Sequence, residues 1–288
     1  MVSLLSHYCV AQVKNNSKPT TYALIMGISQ YKYLPRLHFA DNDAIFFRDL
    51  LISNADNNLD STSIFCLVNE YAKKDTIFND AMRWLDTRKY KKGDILYIYL
   101  AGHVDAMNED EAFFLPVDCN PEKDGDKKNY MLGSALSLND LNSKIAGIRA
   151  RGAEVVLIMD VCRPADLPGG DKGRKKFVSG FLKNPAGEMI ILSAGQGKTA
   201  IEGSDIGSGH GLLTWYVVGG LAGGADNNKD GSVTFSELSN YVKFNVDKKA
   251  RNRYKMEQMP VFCCRESDGK VIGKVNSSFF ERWSGSEY

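Results

Sequence analysis

The feature that most constrains this chain is a recurring pattern of short runs that are apolar on both faces. Tyr22 to Ile28, Ser63 to Val68, Asp94 to Leu100, Glu154 to Val161 and Glu188 to Ser193 each contain such a run. A strand that is apolar on both faces has to be covered on both, which predicts inner strands of a parallel sheet. The stretches between them have helical spacing. Asp43 to Leu51 reads as an amphipathic helix with Asp41 or Asn42 as its N-cap, and Asp75 to Leu85 as a second, with Asp75 or Thr76 near the cap. Ser137 to Ile148 is a third, opened by Ser137 and Asp140 in a capping-box-like start. His210 to Leu221 reads as an apolar helix, Glu237 to Lys248 as an amphipathic one, and Ala112 to Val117 as a short side strand. Alternating strands and helices predict an α/β fold of three layers, a mostly parallel central sheet with helices on both faces. The expected organisation is a polar extension over residues 1–20 and one domain over 21–288. The longest segment without a clear pattern is Arg163 to Lys183.

Composition narrows the class. The chain has 288 residues, 43% hydrophobic and 25% charged, enough for a core that needs no disulfide or structural metal. Its formal net charge of +1 gives no case for nucleic acid or an anionic membrane as partner. The longest apolar stretch, around Leu212 to Leu221, is too short and glycine-rich to cross a bilayer. Met1 to Gln12 lacks the basic start and cleavage site of a signal peptide. Cys9, Cys66, Cys119, Cys162, Cys263 and Cys264 form no CxxC pair and no zinc-type spacing with histidine. These features together predict a reduced, cytoplasmic protein.

Two of the apolar runs end on reactive residues. Leu100-Ala101-Gly102-His103 closes one, and Met159-Asp160-Val161-Cys162-Arg163 closes another. Open α/β sheets place their chemistry at the carboxyl ends of parallel strands. One right-handed crossover would bring the ends of both strands to the same rim. A thiol becomes a strong nucleophile as thiolate, and a histidine within reach can take its proton and later protonate a leaving amine. A structural loop histidine and a buried core thiol are the plainer reading of the same residues.

In these motifs and their order the chain resembles the caspase-like cysteine peptidases, most closely the bacterial, metacaspase-like branch, from about Thr21 to Val261. ALIMGISQYKYLPRLHFADNDA resembles the family's opening strand and loop, LAGHV its histidine motif and MDVCRP its cysteine motif. ILSAG and SGHGLLTWYVVGGLAGGAD resemble a later strand and the helix after it. The resemblance implies a cysteine endopeptidase with Cys162 as nucleophile and His103 as general base and acid. The backbone N–H groups of Cys162 and Val104 would hold the oxyanion. The family usually has glycine where this chain has Val104; a positive φ there would strain a β-branched residue.

The resemblance also implies a substrate preference. Asp160 stands where metacaspase-like enzymes carry the acidic residue of a pocket for arginine or lysine, and Asp43 matches a second acidic position. Two carboxylates facing one cavity repel unless a cation joins them, and the guanidinium fork suits them best. The expectation is cleavage after Arg or Lys in a protein or peptide substrate. Other readings are a helix N-cap for Asp43 and a structural loop contact for Asp160. In this family the linker after the nucleophile is often cleaved, making Arg174, Lys175 and Lys176 candidates for self-cleavage; a solvated charged loop is the alternative.

Asp226 to Glu237, DNNKDGSVTFSE, fits a twelve-residue calcium loop. Asp226, Asn228, Asp230, Ser232 and Glu237 are its candidate ligands, with Gly231 at the turn. The alternative is a helix–loop–helix joint built on turns. No cofactor is required by the peptidase reading, and calcium is an optional ligand. A regulatory protein partner is compatible with limited proteolysis. The competing functions are a catalytically weak caspase-like scaffold and a calcium-responsive regulatory module.

Overall fold

A computed structural model describes residues 18–60, 62–107, 111–121, 132–162, 188–193, 200–263 and 269–286. Its strands are β1 (Thr21–Gly27), β2 (Ile64–Val68), β3 (Ile95–Ala106), β4 (Ala112–Phe114), β5 (Leu136–Ser137), β6 (Glu154–Cys162), β7 (Met189–Leu192), β8 (Glu202–Gly203), β9 (His210–Gly211), β10 (Ser232–Thr234), β11 (Val261–Cys263) and β12 (Val271–Lys274). Its helices are α1 (Ala40–Ser53), α2 (Lys74–Thr76), α3 (Met82–Thr87), α4 (Leu138–Ala150), α5 (Leu212–Gly219), α6 (Phe235–Lys249) and α7 (Ser277–Gly285). The main sheet runs β11-β7-β6-β3-β1-β2. β2, β1, β3, β6 and β7 are mutually parallel, and β11 closes one edge antiparallel to β7.

The period of two along each strand sorts side chains into two cores. Leu96, Ile98 and Leu100 of β3 pack with Ile77, Leu85, Leu141 and Ile145 on one face. Tyr97, Tyr99 and Ala101 pack with Phe47 and Leu50 of α1, Leu213 and Val217 of α5, and Leu238 and Val242 of α6 on the other. Each fully buried Leu or Ile removes apolar area worth about 1.5–3 kcal/mol from water. The layers are helix, sheet, helix, as the apolar runs predict.

Several boundaries differ from the sequence expectation. α1 starts at Ala40, and neither Asp41 nor Asn42 caps it: the N-cap is Phe39, with no side-chain cap bond. Glu202 instead accepts the N–H groups of His38 (3.1 Å) and Phe39 (3.2 Å) from far along the chain. The second helix is two pieces joined by a π turn at Ile77–Ala81. Its first N–H, that of Lys74, goes to Asp118 (2.9 Å), so neither Asp75 nor Thr76 caps it. Ser137 does cap α4, accepting from the Asp140 N–H. β3 runs on through His103 to Ala106 because β4 pairs with its far end. His210 and Gly211 are not helical; they form β9, laddered to β8. Thr20 is hydrogen-bonded to the loop and strand beside it: its N–H donates to Asp94 (2.9 Å), and Ile95 N–H donates to Thr20 O (3.1 Å). The carboxyl-terminal elements close over the same core, with Trp283 Nε1–H donating to Trp215 O (3.1 Å) and Tyr97 hydroxyl to Ile272 O.

Candidate active site

β3 and β6 are neighbours, and their register pairs Gly102 with Val161 and His103 with Cys162. Adjacent strands lie about 4.8 Å apart, so the two backbone positions face each other at the carboxyl end of the sheet. Positions 160 and 162, two apart on one strand, lie on the same face.

His103 is buried and held by Tyr31 and Pro35, among others. Its N–H donates to the Tyr31 hydroxyl (2.7 Å), which donates on to Leu115 O (3.2 Å). Its ring stacks on Tyr31, centroids 4.5 Å apart. Its Nε2 lies 2.8 Å from Pro35 O. A carbonyl can only accept, so Nε2 carries the proton and Nδ1 becomes the basic nitrogen. Gly102 makes the close approach feasible: its φ is +155°, and a Cβ there would stand 2.6 Å from the Tyr31 oxygen.

Val104 has an ordinary strand conformation, paired with Phe114. The described non-glycine residues with positive φ are Asn58, Asn69, Ser208, Lys229 and Lys255, so Val104 carries no such strain. Leu115 N–H donates to His103 O (2.9 Å), which turns that carbonyl toward the β4 side. Successive peptide groups alternate, so the Val104 N–H points to the opposite edge, the side on which β6 lies.

Beside this rim is a small open cavity of about 50 Å³ lined by Leu37, Asp43, Asp160, Val161, Glu202 and Gly211, among others. Asp43 is in the first turn of α1 and is buried, not capping. It accepts from Gly211 N–H at 3.0 and 3.1 Å and faces His210 Nδ1 at 2.8 Å. Asp160 Oδ2 accepts from the Thr214 hydroxyl (2.7 Å) and N–H (3.2 Å). The Tyr99 hydroxyl backs Thr214 Oγ1 at 2.6 Å. Both carboxylates therefore sit at the amino end of α5, where the helix dipole favours negative charge. Burial nevertheless pushes both carboxyls up. Asp43 stands well above the ordinary range, opposed by the Gly211 N–H; Asp160 is pushed to about 7, with the Asp43 charge as second cause. Glu202 adds a third negative group that raises both.

The sequence reading did not single out Glu202, His210, Thr214, Tyr99 or Gln258. Gln258 is fully buried, accepting from Ile201 N–H (2.8 Å) and donating to Ser193 O (2.9 Å), and so braces the strands beside the pocket. No local pattern marks any of them, since each meets its partner across a long stretch of chain. Arg174, Lys175 and Lys176 lie outside the described residues.

The Asp226–Glu237 segment folds on its own groups. Asp226 accepts from Asp230 and Gly231 N–H (3.1 and 3.0 Å), and Asp230 from Ser232 N–H (2.8 Å) and Asn228 Nδ2 (3.0 Å). Glu237 closes a capping box with Thr234 at the start of α6. β10 pairs with β12, not with a second loop of its own kind. Among the described residues no group of three or more His, Cys, Asp or Glu could hold a metal ion. Cys66, Cys119 and Cys263 are free thiols, and no described helix is long and apolar enough to cross a membrane.

No protein-family model matches the chain, and no curated protein matches it. Solved structures do. The protein has a caspase-like α/β fold with a mostly parallel central sheet. Caspase-1 from Spodoptera frugiperda aligns with TM-score 0.56 and 12% identity, covering 90% of this chain and 92% of that one. The structure of pro-sf-caspase-1 aligns at 0.53 and 12%, covering 86% and 92%. Protein GSU0716 from Geobacter sulfurreducens aligns at 0.52 and 12%, covering 91% and 97%. Identity this low speaks for the fold, and a fold hosts many chemistries.

Proposed function

We propose that this chain is a cysteine endopeptidase of the caspase-like, metacaspase-like kind, making limited cuts after Arg or Lys. The observation that carries the reading is one juxtaposition. A pocket lined by two carboxylates, the buried Asp43 and the half-buried Asp160, adjoins the strand end where Cys162 lies in register with His103. In the proposed cycle His103 takes the Cys162 proton, and the thiolate attacks the scissile carbonyl. The Val104 and Cys162 N–H groups hold the oxyanion. The imidazolium then protonates the leaving amine, and water releases the acyl group by the same route. The substrate cation enters the pocket, where a guanidinium can serve Asp43 and Asp160 together while Glu202 adds negative potential.

Labelling with a peptidyl arginine chloromethylketone tests this directly. Wild type is expected to be modified and Cys162→Ala and His103→Ala are not. A peptide panel with Arg, Lys and Asp at the cleaved position completes the test; preference for Asp would overturn the pocket assignment. The scaffold alternative drew on strain at Val104, and its strand geometry removes that ground.

Two regulatory features belong to the same proposal and rest on the sequence alone. Self-cleavage after Arg174, Lys175 or Lys176 is tested by intact mass of wild type against Cys162→Ala. Calcium binding by Asp226, Asn228, Asp230, Ser232 and Glu237 is tested by calorimetry and thermal shift, with Asp226→Ala as control; no heat and no shift would retire it.

A further inference from the structure

We infer that His210 is a positioning residue for the pocket, donating its Nδ1–H to Asp43 so that this carboxylate meets a cationic substrate side chain in one fixed orientation. The inference rests on the basic-residue reading above and adds a residue to it.

The geometry is specific. Asp43 Oδ1 lies 2.8 Å from His210 Nδ1, and its other contacts are the shared Gly211 N–H. His210 is the one side-chain donor to Asp43 among the described residues. The imidazole is wedged beside Phe46 (centroids 4.6 Å apart) and Trp215 (5.5 Å). The Phe46 and Trp215 rings also stack on each other at 5.6 Å, so the imidazole cannot swing freely. Burial pushes the imidazole down to about 4, so it is neutral at physiological pH. When Asp43 is ionised, as it is on meeting a cationic side chain, a neutral imidazole facing it presents N–H rather than a lone pair, with the proton on Nδ1.

A neutral donor suits this place better than a cation would. A lysine or arginine at position 210 would neutralise Asp43 and compete with the substrate. The imidazole orients Asp43 without cancelling its charge. The charged groups facing Asp43 are otherwise unfavourable to its ionisation: Asp41 on its own helix, Asp160 from β6 and Glu202 from β8. Removing the one side-chain donor leaves a buried carboxyl among anions with a single shared N–H, and a carboxyl so placed, already raised by burial, keeps its proton to higher pH still.

Two substitutions separate orientation from packing. His210→Phe keeps an aromatic ring between Phe46 and Trp215 but has no donor. His210→Asn loses the ring but carries an amide N–H near the Nδ1 position. Loss of one hydrogen bond to a charged group predicts that His210→Phe drops kcat/KM for an Arg peptide about tenfold or more, through KM. His210→Asn stays within about threefold of wild type. Alkylation of Cys162 by iodoacetamide, which needs no pocket, proceeds alike in all three. A folded His210→Phe with wild-type KM, or a folded His210→Asn that has lost Arg preference, overturns the inference.

Carbon-13 NMR titration of the Asp43 carboxyl gives a readout independent of turnover. Its midpoint is expected to rise in His210→Phe and to hold in His210→Asn. If wild type cleaves no Arg peptide, the peptidase reading fails while this titration still decides the role of His210. Equal midpoints in the three proteins overturn it.

Discussion

Asp43 and Asp160 meet at Gly211. They come from α1 and β6, and a Cβ on Gly211 would stand 2.8 Å from Asp43 Oδ2 and 2.6 Å from Asp160 Oδ2. The two carboxylates thus close on a backbone that has no side chain, and the Gly211 N–H lies between Asp43 and the start of α5. Only glycine permits that approach.

Gly211→Ala should therefore push the two carboxylates apart. The expected result is a fall in kcat/KM for Arg peptides of at least about tenfold, with a loss of about 1–3 kcal/mol in stability from overpacking. Steady-state kinetics and thermal unfolding check both. Unchanged kinetics would mean that the pocket does not need both carboxylates in place.

Asp160→Asn should separate function from stability. A carboxyl raised from 3.8 in the unfolded chain to about 7 in the fold holds more protons when folded across that interval. Stability contributed by its protonated form is therefore lost as pH climbs from about 4 to about 7, and the full cost of up to about 4 kcal/mol applies above that. Asparagine keeps an acceptor oxygen for Thr214 and removes the charge. The variant should be more stable than wild type at pH 8, with a flatter stability profile between pH 4 and 7, and should lose Arg cleavage. In wild type, KM for Arg peptides should fall as pH rises through about 7, because the substrate cation binds the ionised form. Unfolding midpoints against pH, with KM over the same range, test the sign.

Tyr31→Phe should loosen His103. The Tyr31 hydroxyl bridges His103 N–H and Leu115 O, and phenylalanine keeps the ring stack while stripping both bonds. The buried His103 N–H would lose its partner, at about 1–3 kcal/mol. Reduced kcat with nearly unchanged KM is the expected kinetic pattern. A matching loss of protection at the His103 amide in hydrogen exchange would locate the effect.

Thr214→Val should act through Asp160. Valine matches threonine in volume but breaks the Tyr99–Thr214–Asp160 chain, leaving the buried Tyr99 hydroxyl unpartnered at a cost of about 1–3 kcal/mol. Asp160 loses a bond that lowers it and should titrate higher still. The KM for Arg at neutral pH should rise, and raising the pH should restore it in part. A pH-independent KM would rule out this route.

The inner sheet was legible in the sequence because β1, β3, β6 and β7 are buried on both faces, and that burial writes continuous apolar runs; β2, read the same way, is instead a half-buried edge strand. The helix starts were legible where the cap is local, as Ser137 is for α4, and illegible where it is not. Glu202 serves the start of α1 from 163 residues away, so a search for a cap near Asp41 could not find it. β11, β12 and α7 went unread because they are short and half-exposed; β11 takes its order from pairing with β7, β12 from Tyr97 and α7 from Trp215.

The sequence by itself determined the alternation of strand and helix, the placement of His103 and Cys162 directly after apolar runs, and the presence of acidic residues at positions 43 and 160. These are local properties, set by side-chain period and by a residue's place in its own run. Tertiary structure alone decided that β3 and β6 are neighbours in a register that sets His103 against Cys162. It also decided that Asp43, Asp160, Glu202, His210 and Thr214 gather around the amino end of one helix. Those pairings depend on sheet order and helix packing, which bring distant segments together and leave no periodic trace along the chain.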